Sequence, residues 1–299
     1  MVFPVAQIET AVWIPPVTAF AISFFTSMGG VSGAFLLLPF QVSILGYTSP
    51  SVSATNQLFN IVAIPSGVYR YWKEGRMVWP LTWIVIFGTL PGVLIGAVVR
   101  VTWLPDPRHF KLFAAGVLLY IGGRLAWDLV KNRKPAAKEA AGPVDGGGSV
   151  RVVRFDVRRL EYTFQEEVFG APFWGIFALS FIVGIVGGIY GIGGGSIIAP
   201  FFVTFFRLPV YTIAGAALMG TFVTSVAGVA FYQAMASFYP NISVAPDWML
   251  GLLFGLGGMA GMYLGARCQR FVPASAIKWM LAVVMLFTAA QYVAGFFGF

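Results

Sequence analysis

The residues best placed to do chemistry in this sequence are neutral. A glycine-dense stretch, Gly187-Gly-Ile-Tyr-Gly191-Ile-Gly193-Gly194-Gly195-Ser196, interrupts a long apolar run, and a thinner version, Gly29-Gly30-Val-Ser32-Gly33, interrupts another. Where a helix breaks in an apolar environment, the N–H groups that open the next helix lack partners and carry the positive end of its dipole. They form a ready site for an anion, and glycine lets the backbone approach it closely. Close helix packing through small residues is the competing role for the same glycines. Gly30, Ser32 and Gly33 in the first break, with Gly191, Gly193, Gly194, Gly195 and Ser196 in the second, are the candidate substrate-binding positions. No Gly-Lys-Ser/Thr follows either break, which argues against a phosphate loop of the soluble type.

A second set of polar groups lies in the apolar segments that follow each break. Asn56 and Asn60 are four residues apart and share a helix face, with Thr55 beside them; Thr221 and Ser225 repeat that spacing, with Thr224 between. Amides and hydroxyls of this kind suit the oxygens of a small anion, and equally suit hydrogen bonds between helices. Gln57 and Ser66 are weaker candidates. Asp128 is the one carboxylate within an apolar span that offers itself as a coupling group, although Arg124 one turn away makes an interfacial ion pair the plainer reading.

Other chemistries lack material. A single histidine, His109, and a single cysteine, Cys268, leave no metal cluster, no disulfide and no catalytic triad to assemble, so no cofactor and no enzyme activity is expected. The net charge of +8 is spread over the ends of apolar runs, which suits membrane topology and not a nucleic-acid face. With 58% hydrophobic and only 10% charged residues over 299 positions, a soluble domain is excluded. Tryptophans at 72, 79, 103 and 248 read as interfacial anchors.

The elements that must position these groups come in two related sets. Gly29-Gly30 and Gly33 match Gly187-Gly188 and Gly191; after a three-residue gap, Pro39-Phe40 matches Pro200-Phe201. The register continues through Asn60 on Thr221, Gly67-Val68 on Gly228-Val229 and Tyr71 on Tyr232, and then Gly88, Gly92 and Gly96 meet Gly257, Gly261 and Gly265. Collinear glycine and proline over this length mark a duplication. The halves are residues 1–130 and 172–299, joined by a basic, glycine-rich cytoplasmic linker over 131–171 whose local structure the sequence leaves open. The broken segments, about Val12–Leu45 and Phe173–Phe206, are too long for one span of a ~30 Å hydrocarbon core and too short for two. Three spans follow each.

Lysine and arginine decide between a kinked single span and a hairpin. If each broken segment crosses once, the halves are parallel and basic residues divide eleven to seven between the two sides. If each folds back, the halves are inverted and the division becomes fifteen to three. The expected fold is therefore an all-α polytopic membrane protein of two inverted repeats, each a glycine-broken re-entrant hairpin plus three transmembrane helices, with both termini outside the cytoplasm.

The second glycine block with Pro200, its degenerate partner from Gly29 to Pro39, and the Ala54-Thr55-Asn56 and Gly220-Thr221 helices resemble the TauE/SafE family. The resemblance covers nearly the whole chain apart from the linker. One departure is that the first break lacks three residues of the second, so the two half-sites need not be equivalent. The resemblance implies a secondary transporter in the bacterial inner membrane, carrying sulfite or an organosulfonate, with export as the expected direction. A passive anion channel or a sulfonate uptake permease are the alternatives. The partners expected are the lipid bilayer, the small anion and a coupling ion, either proton or sodium; no nucleic acid is expected, and the oligomeric state is not legible.

Overall fold

The computed structural model describes residues 1–28, 32–73, 75, 77–131, 150–164, 167–195, 197–268 and 274–298. Eleven helices and five short strands are named in chain order among these residues. A strand pair, β1 (Val2–Phe3) and β2 (Ile8–Glu9), precedes α1 (Ile14–Met28), α2 (Ala34–Ser43), α3 (Ser51–Ala63), α4 (Pro65–Lys73), α5 (Trp79–Thr102) and α6 (Pro107–Lys131). A three-stranded antiparallel sheet, β3 (Arg151–Phe155), β4 (Arg159–Phe164) and β5 (Glu167–Pro172), then leads into α7 (Phe173–Tyr190), α8 (Ile198–Phe206), α9 (Val210–Met235), α10 (Trp248–Cys268) and α11 (Ala274–Phe297). Six helical stretches are long and apolar enough to cross a membrane, those of α5, α6, α7, α9, α10 and α11. The fold is thus a mostly helical polytopic membrane protein.

Local chemistry explains where the helices stop. Pro65 has no N–H to give to the carbonyl four residues back, so the expected span from Ser51 to Tyr71 divides into α3 and α4. Gly191 ends α7 at φ +83°, a left-handed conformation that an L side chain enters only at a cost. At ~1.5 Å per residue, α1, α2 and α8 measure about 22, 15 and 14 Å, each well short of the ~30 Å core. The second broken segment differs from the first in this respect, because α7 alone is about 27 Å long.

Contacts along the helices fix their directions. Gly257, Gly261 and Gly265 of α10 lie against Pro16, Phe20 and Phe24 of α1, so these helices run parallel. Helix α3 also runs parallel to α10, pairing Thr55 with Asp247, Leu58 with Gly251 and Val62 with Gly255. Since α1 and α3 share one direction, the chain must double back between them through α2. The second half repeats the pattern. Gly88, Gly92 and Gly96 of α5 lie against Phe177, Phe181 and Ile185 of α7. Helix α9 follows α5 the same way, with Gly220 against Val85 and Tyr232 clustered with Ala97. Here α8 is the returning limb. The six α5 and α10 glycines are packing seams: they let backbones meet where any larger side chain would collide.

Two further helix pairs run antiparallel. Gln57, Gly67 and Tyr71 of α3–α4 meet Gly228, Leu218 and Gly215 of α9 in descending order. His109, Lys111 and Gly122 of α6 likewise meet Phe296, Tyr292 and Met285 of α11. The two ends of the bundle are capped differently. At one end the β1–β2 pair buries Phe3 and Ile8, and the Ala6 N–H donates to the Asp247 carboxylate at 3.2 Å. At the other the linker sheet docks through Tyr162, whose hydroxyl lies 2.7 Å from that of Thr212. Burial pushes the Tyr162 phenol up to about 12 despite that bond.

Candidate functional site

Among the described residues, a group of buried polar side chains converges where the two broken segments meet. Tyr190, the last residue of α7, donates its hydroxyl to the Phe35 carbonyl in the first turn of α2 at 3.0 Å, so the breaks touch directly. Helix α3 is fastened to both. Asn56 Nδ2 donates to the Ala34 carbonyl at 3.1 Å, beside the first break, while Asn60 Nδ2 donates to the Ile192 carbonyl at 3.0 Å inside the second. One turn earlier, Ser53 gives its hydroxyl to the Ile189 carbonyl at 3.0 Å, satisfying a carbonyl at the end of α7 that the helix itself leaves open. Gln41 of α2 completes the first cluster by donating to Asn56 Oδ1 at 3.4 Å. All of these side chains are fully buried.

Helix α9 closes the second break from the other side. The Gly194 N–H donates to Thr224 Oγ1 at 3.2 Å, and Tyr232 donates to the Gly188 carbonyl at 3.2 Å. Thr221 and Thr224 also return their hydroxyls to carbonyls one turn back, at 2.9 and 2.6 Å. The glycines are there for space. A Cβ on Gly191 would enter the Ser53 backbone, one on Gly194 would meet Thr89, and one on Gly195 would meet the backbone of Ala217. The break therefore presents two opposite poles within one packed locus. The carbonyl end of α7 faces Ser53 and Tyr232, and the N–H groups opening α8 follow Gly195.

Several polar atoms in this region have no hydrogen-bond partner among the described residues: Ser23 Oγ, Gln41 Oε1, both amide atoms of Gln57, Asn60 Oδ1 and Ser225 Oγ. Buried groups left unmatched are uncommon in a folded chain and point to a ligand, ion or water. Ser23 sits against Gly33 of the first break, and Gln57 against Gly228 of α9.

Of the candidates read from the sequence, Gly33, Asn56, Asn60, Gly191, Gly193, Gly194, Gly195, Thr221 and Ser225 are brought to these two breaks or to the helices clasping them. Ser32 lies at the first break, where its hydroxyl accepts from the Ala34 N–H at 3.3 Å. Thr55 is drawn away: its hydroxyl accepts from the Asp247 N–H at 2.9 Å and lies 2.8 Å from that of Tyr47, near the bundle end. Gly30 and Ser196 lie outside the described residues, and so does the side chain of Asp128. Three participants are not among those candidates. Ser23 and Gln41 sit in apolar runs until the fold brings α1 and α2 together, and Tyr190 stands inside the second glycine block, where the glycines and not the phenol carry the signal. Asp247 caps α10 by accepting from the Leu250 N–H at 3.0 Å.

Both breaks and all the helices that clasp them fall within residues 16–292, which match the Sulfite exporter TauE/SafE family. The chain belongs to this family. It is a TauE/SafE membrane transporter, with six apolar helices long enough to span among the described residues. The Probable membrane transporter protein YunE of Bacillus subtilis (strain 168) is 24% identical over 275 residues, covering 89% of this chain and 92% of that one. The Probable membrane transporter protein YdhB of the same organism is 26% identical over 114 residues, covering 38% of this chain and 43% of its own. No solved structure gives a significant match.

Proposed function

We propose that this TauE/SafE transporter exports a small sulfur-containing anion, sulfite or an organosulfonate, from the bacterial cytoplasm by alternating access. The observation that carries the reading is the junction of the two breaks, where α3 bonds to one through Asn56 and to the other through Asn60. The glycine-rich backbone of the second break and the N–H end of α8 form a neutral cradle of the kind that holds an anion without a buried cation. The name of the family supplies the substrate class.

Rocking of one half against the other is the movement expected of inverted repeats. Two features support that symmetry: corresponding helices run antiparallel, and α1 packs on α10 as α7 packs on α5. Helix direction also supports an orientation. Arg207, Arg267 and Lys278 fall at the linker end of the bundle, leaving Arg100, Arg108 and Lys111 at the end that carries the termini. The excess of positive charge makes the linker end cytoplasmic and the termini external. At the external end a cavity of about 360 Å³ is lined by Arg108, Lys111, Ser43 and Tyr292, a positive mouth suited to an anion on its way out.

Thermal unfolding of the purified protein against a panel of small anions tests the substrate class. Sulfite or a sulfonate raises the midpoint in a saturable manner, whereas chloride and phosphate at equal ionic strength do not. A midpoint that responds equally to every anion contradicts the proposal.

A further inference from the structure

The unmatched atoms at the crossing of α3 and α9 have a chemistry that the anion alone does not use. Asn60 Nδ2 donates to the Ile192 carbonyl, and a carbonyl can only accept, so the amide orientation is fixed. The free atom is therefore Oδ1, an acceptor. One turn away on the same face, both amide atoms of Gln57 are free, so its oxygen can turn inward. Across from them, Ser225 Oγ is free, and it sits where a Cβ on Gly193 would approach within 2.9 Å. Asn60, Gln57 and Ser225 are all fully buried. The negative end of α7 lies alongside.

An acceptor oxygen cannot bind an anion; it needs a donor or a cation. We infer that Gln57, Asn60 and Ser225, with carbonyls of the Ile192–Gly193 turn, form a binding site for a monovalent cation, sodium, that accompanies the anion. Neutral oxygens on broken backbone suit a hard cation of low charge, whereas a divalent ion recruits carboxylates. Those described on α3 and α9 include no acidic or basic side chain. A sodium ion here would lie beside the N–H end of α8 that the anion is proposed to use, which gives the two a shared route. The inference rests on the transport reading only for that coupling; the cation site stands on its own atoms.

The test is sodium binding to purified protein without any transported anion. Choline chloride is replaced stepwise by sodium chloride at constant ionic strength, and unfolding midpoint and bound ²²Na⁺ are followed together. Wild type gains a saturable midpoint increase and displaceable ²²Na⁺. Asn60→Leu loses both, and Asn60→Asp, which adds a negative charge, half-saturates at severalfold lower sodium. Identical behaviour in sodium and choline for wild type overturns the site, as does an Asn60→Asp response unchanged from wild type. If Asn60→Leu fails to fold, wild type and Asn60→Asp still decide the matter. A sulfite-induced midpoint shift that persists in choline while the sodium response is absent rejects the cation site and leaves the anion reading intact; the reverse result rejects the anion reading alone.

Discussion

At the scale of single residues, position has more influence than chemical type. Asn56 and Asn60 have the same side chain on the same helix face, yet one reaches the first break and the other the second. Their shared face was legible from a spacing of four; their separate partners were not, because Ile192 lies 132 residues away in the chain and leaves no periodic mark near Asn60. Thr55 was legible as a polar group but not as part of the Tyr47–Asp247 cluster, which exists only because α3 and α10 run side by side. Gly191 was legible as a break, and its φ of +83° and contact with the Ser53 backbone give the reason. Gly191→Ala therefore loses at least about 2 kcal/mol from the left-handed conformation and the collision together, read as a lower unfolding midpoint. An unchanged midpoint would mean that the turn is not held as described. Tyr190→Phe removes one hydrogen bond and almost no volume, so a loss of about 1 kcal/mol is expected without loss of fold.

At the scale of elements, the close-packed seams were open to reading because only a residue without a side chain lets two backbones meet. The matches at Gly88, Gly92 and Gly96 with Gly257, Gly261 and Gly265 turn out to be two equivalent seams, α5 on α7 and α10 on α1. A bulky side chain in either seam pries apart a whole broken segment. Gly92→Leu and Gly261→Leu should each destabilise by more than about 3 kcal/mol and reduce the yield of folded protein in membranes, whereas Gly116→Leu, with open space around its Cβ position, should not. Size-exclusion profiles of the three variants check this. The small strands were less legible. The β1–β2 pair is only two residues per strand, and the linker sheet was an open choice because its alternation is confined to Leu160, Tyr162 and Phe164. Pro65, followed by Ser66-Gly67, divides a span that the continuous apolar run alone reads as one helix.

At the scale of the molecule, the count of basic residues favours halves that enter the membrane from opposite sides, and the antiparallel run of α3–α4 against α9 and of α6 against α11 supports that proposal. The length of α7, about 27 Å, departs from the re-entrant hairpin expected of the second broken segment. Single cysteines in a Cys268→Ser background test the orientation. Trp103→Cys, 80% exposed at the end of α5, should react with an impermeant maleimide in intact cells, and Val157→Cys, 64% exposed in the linker sheet, should react only after the cells are opened. The opposite pattern would reverse the orientation and with it the side of the positive mouth. Arg100 shows the limit of counting charges. It enters the tally as an ordinary external arginine, but it is fully buried, lies 3.8 Å from the centre of the Phe110 ring and bonds the Leu104 and Thr48 carbonyls.

The central claim is that the meeting point of the two breaks carries the anion across. Radiolabelled sulfite or sulfonate flux into proteoliposomes, compared between wild type and Gly194→Leu at equal amounts of folded protein, tests it most directly, because the added side chain fills the second break. The expected result is concentrative flux by wild type and a loss of about tenfold or more in the variant. Flux that Gly194→Leu leaves unchanged would contradict the claim.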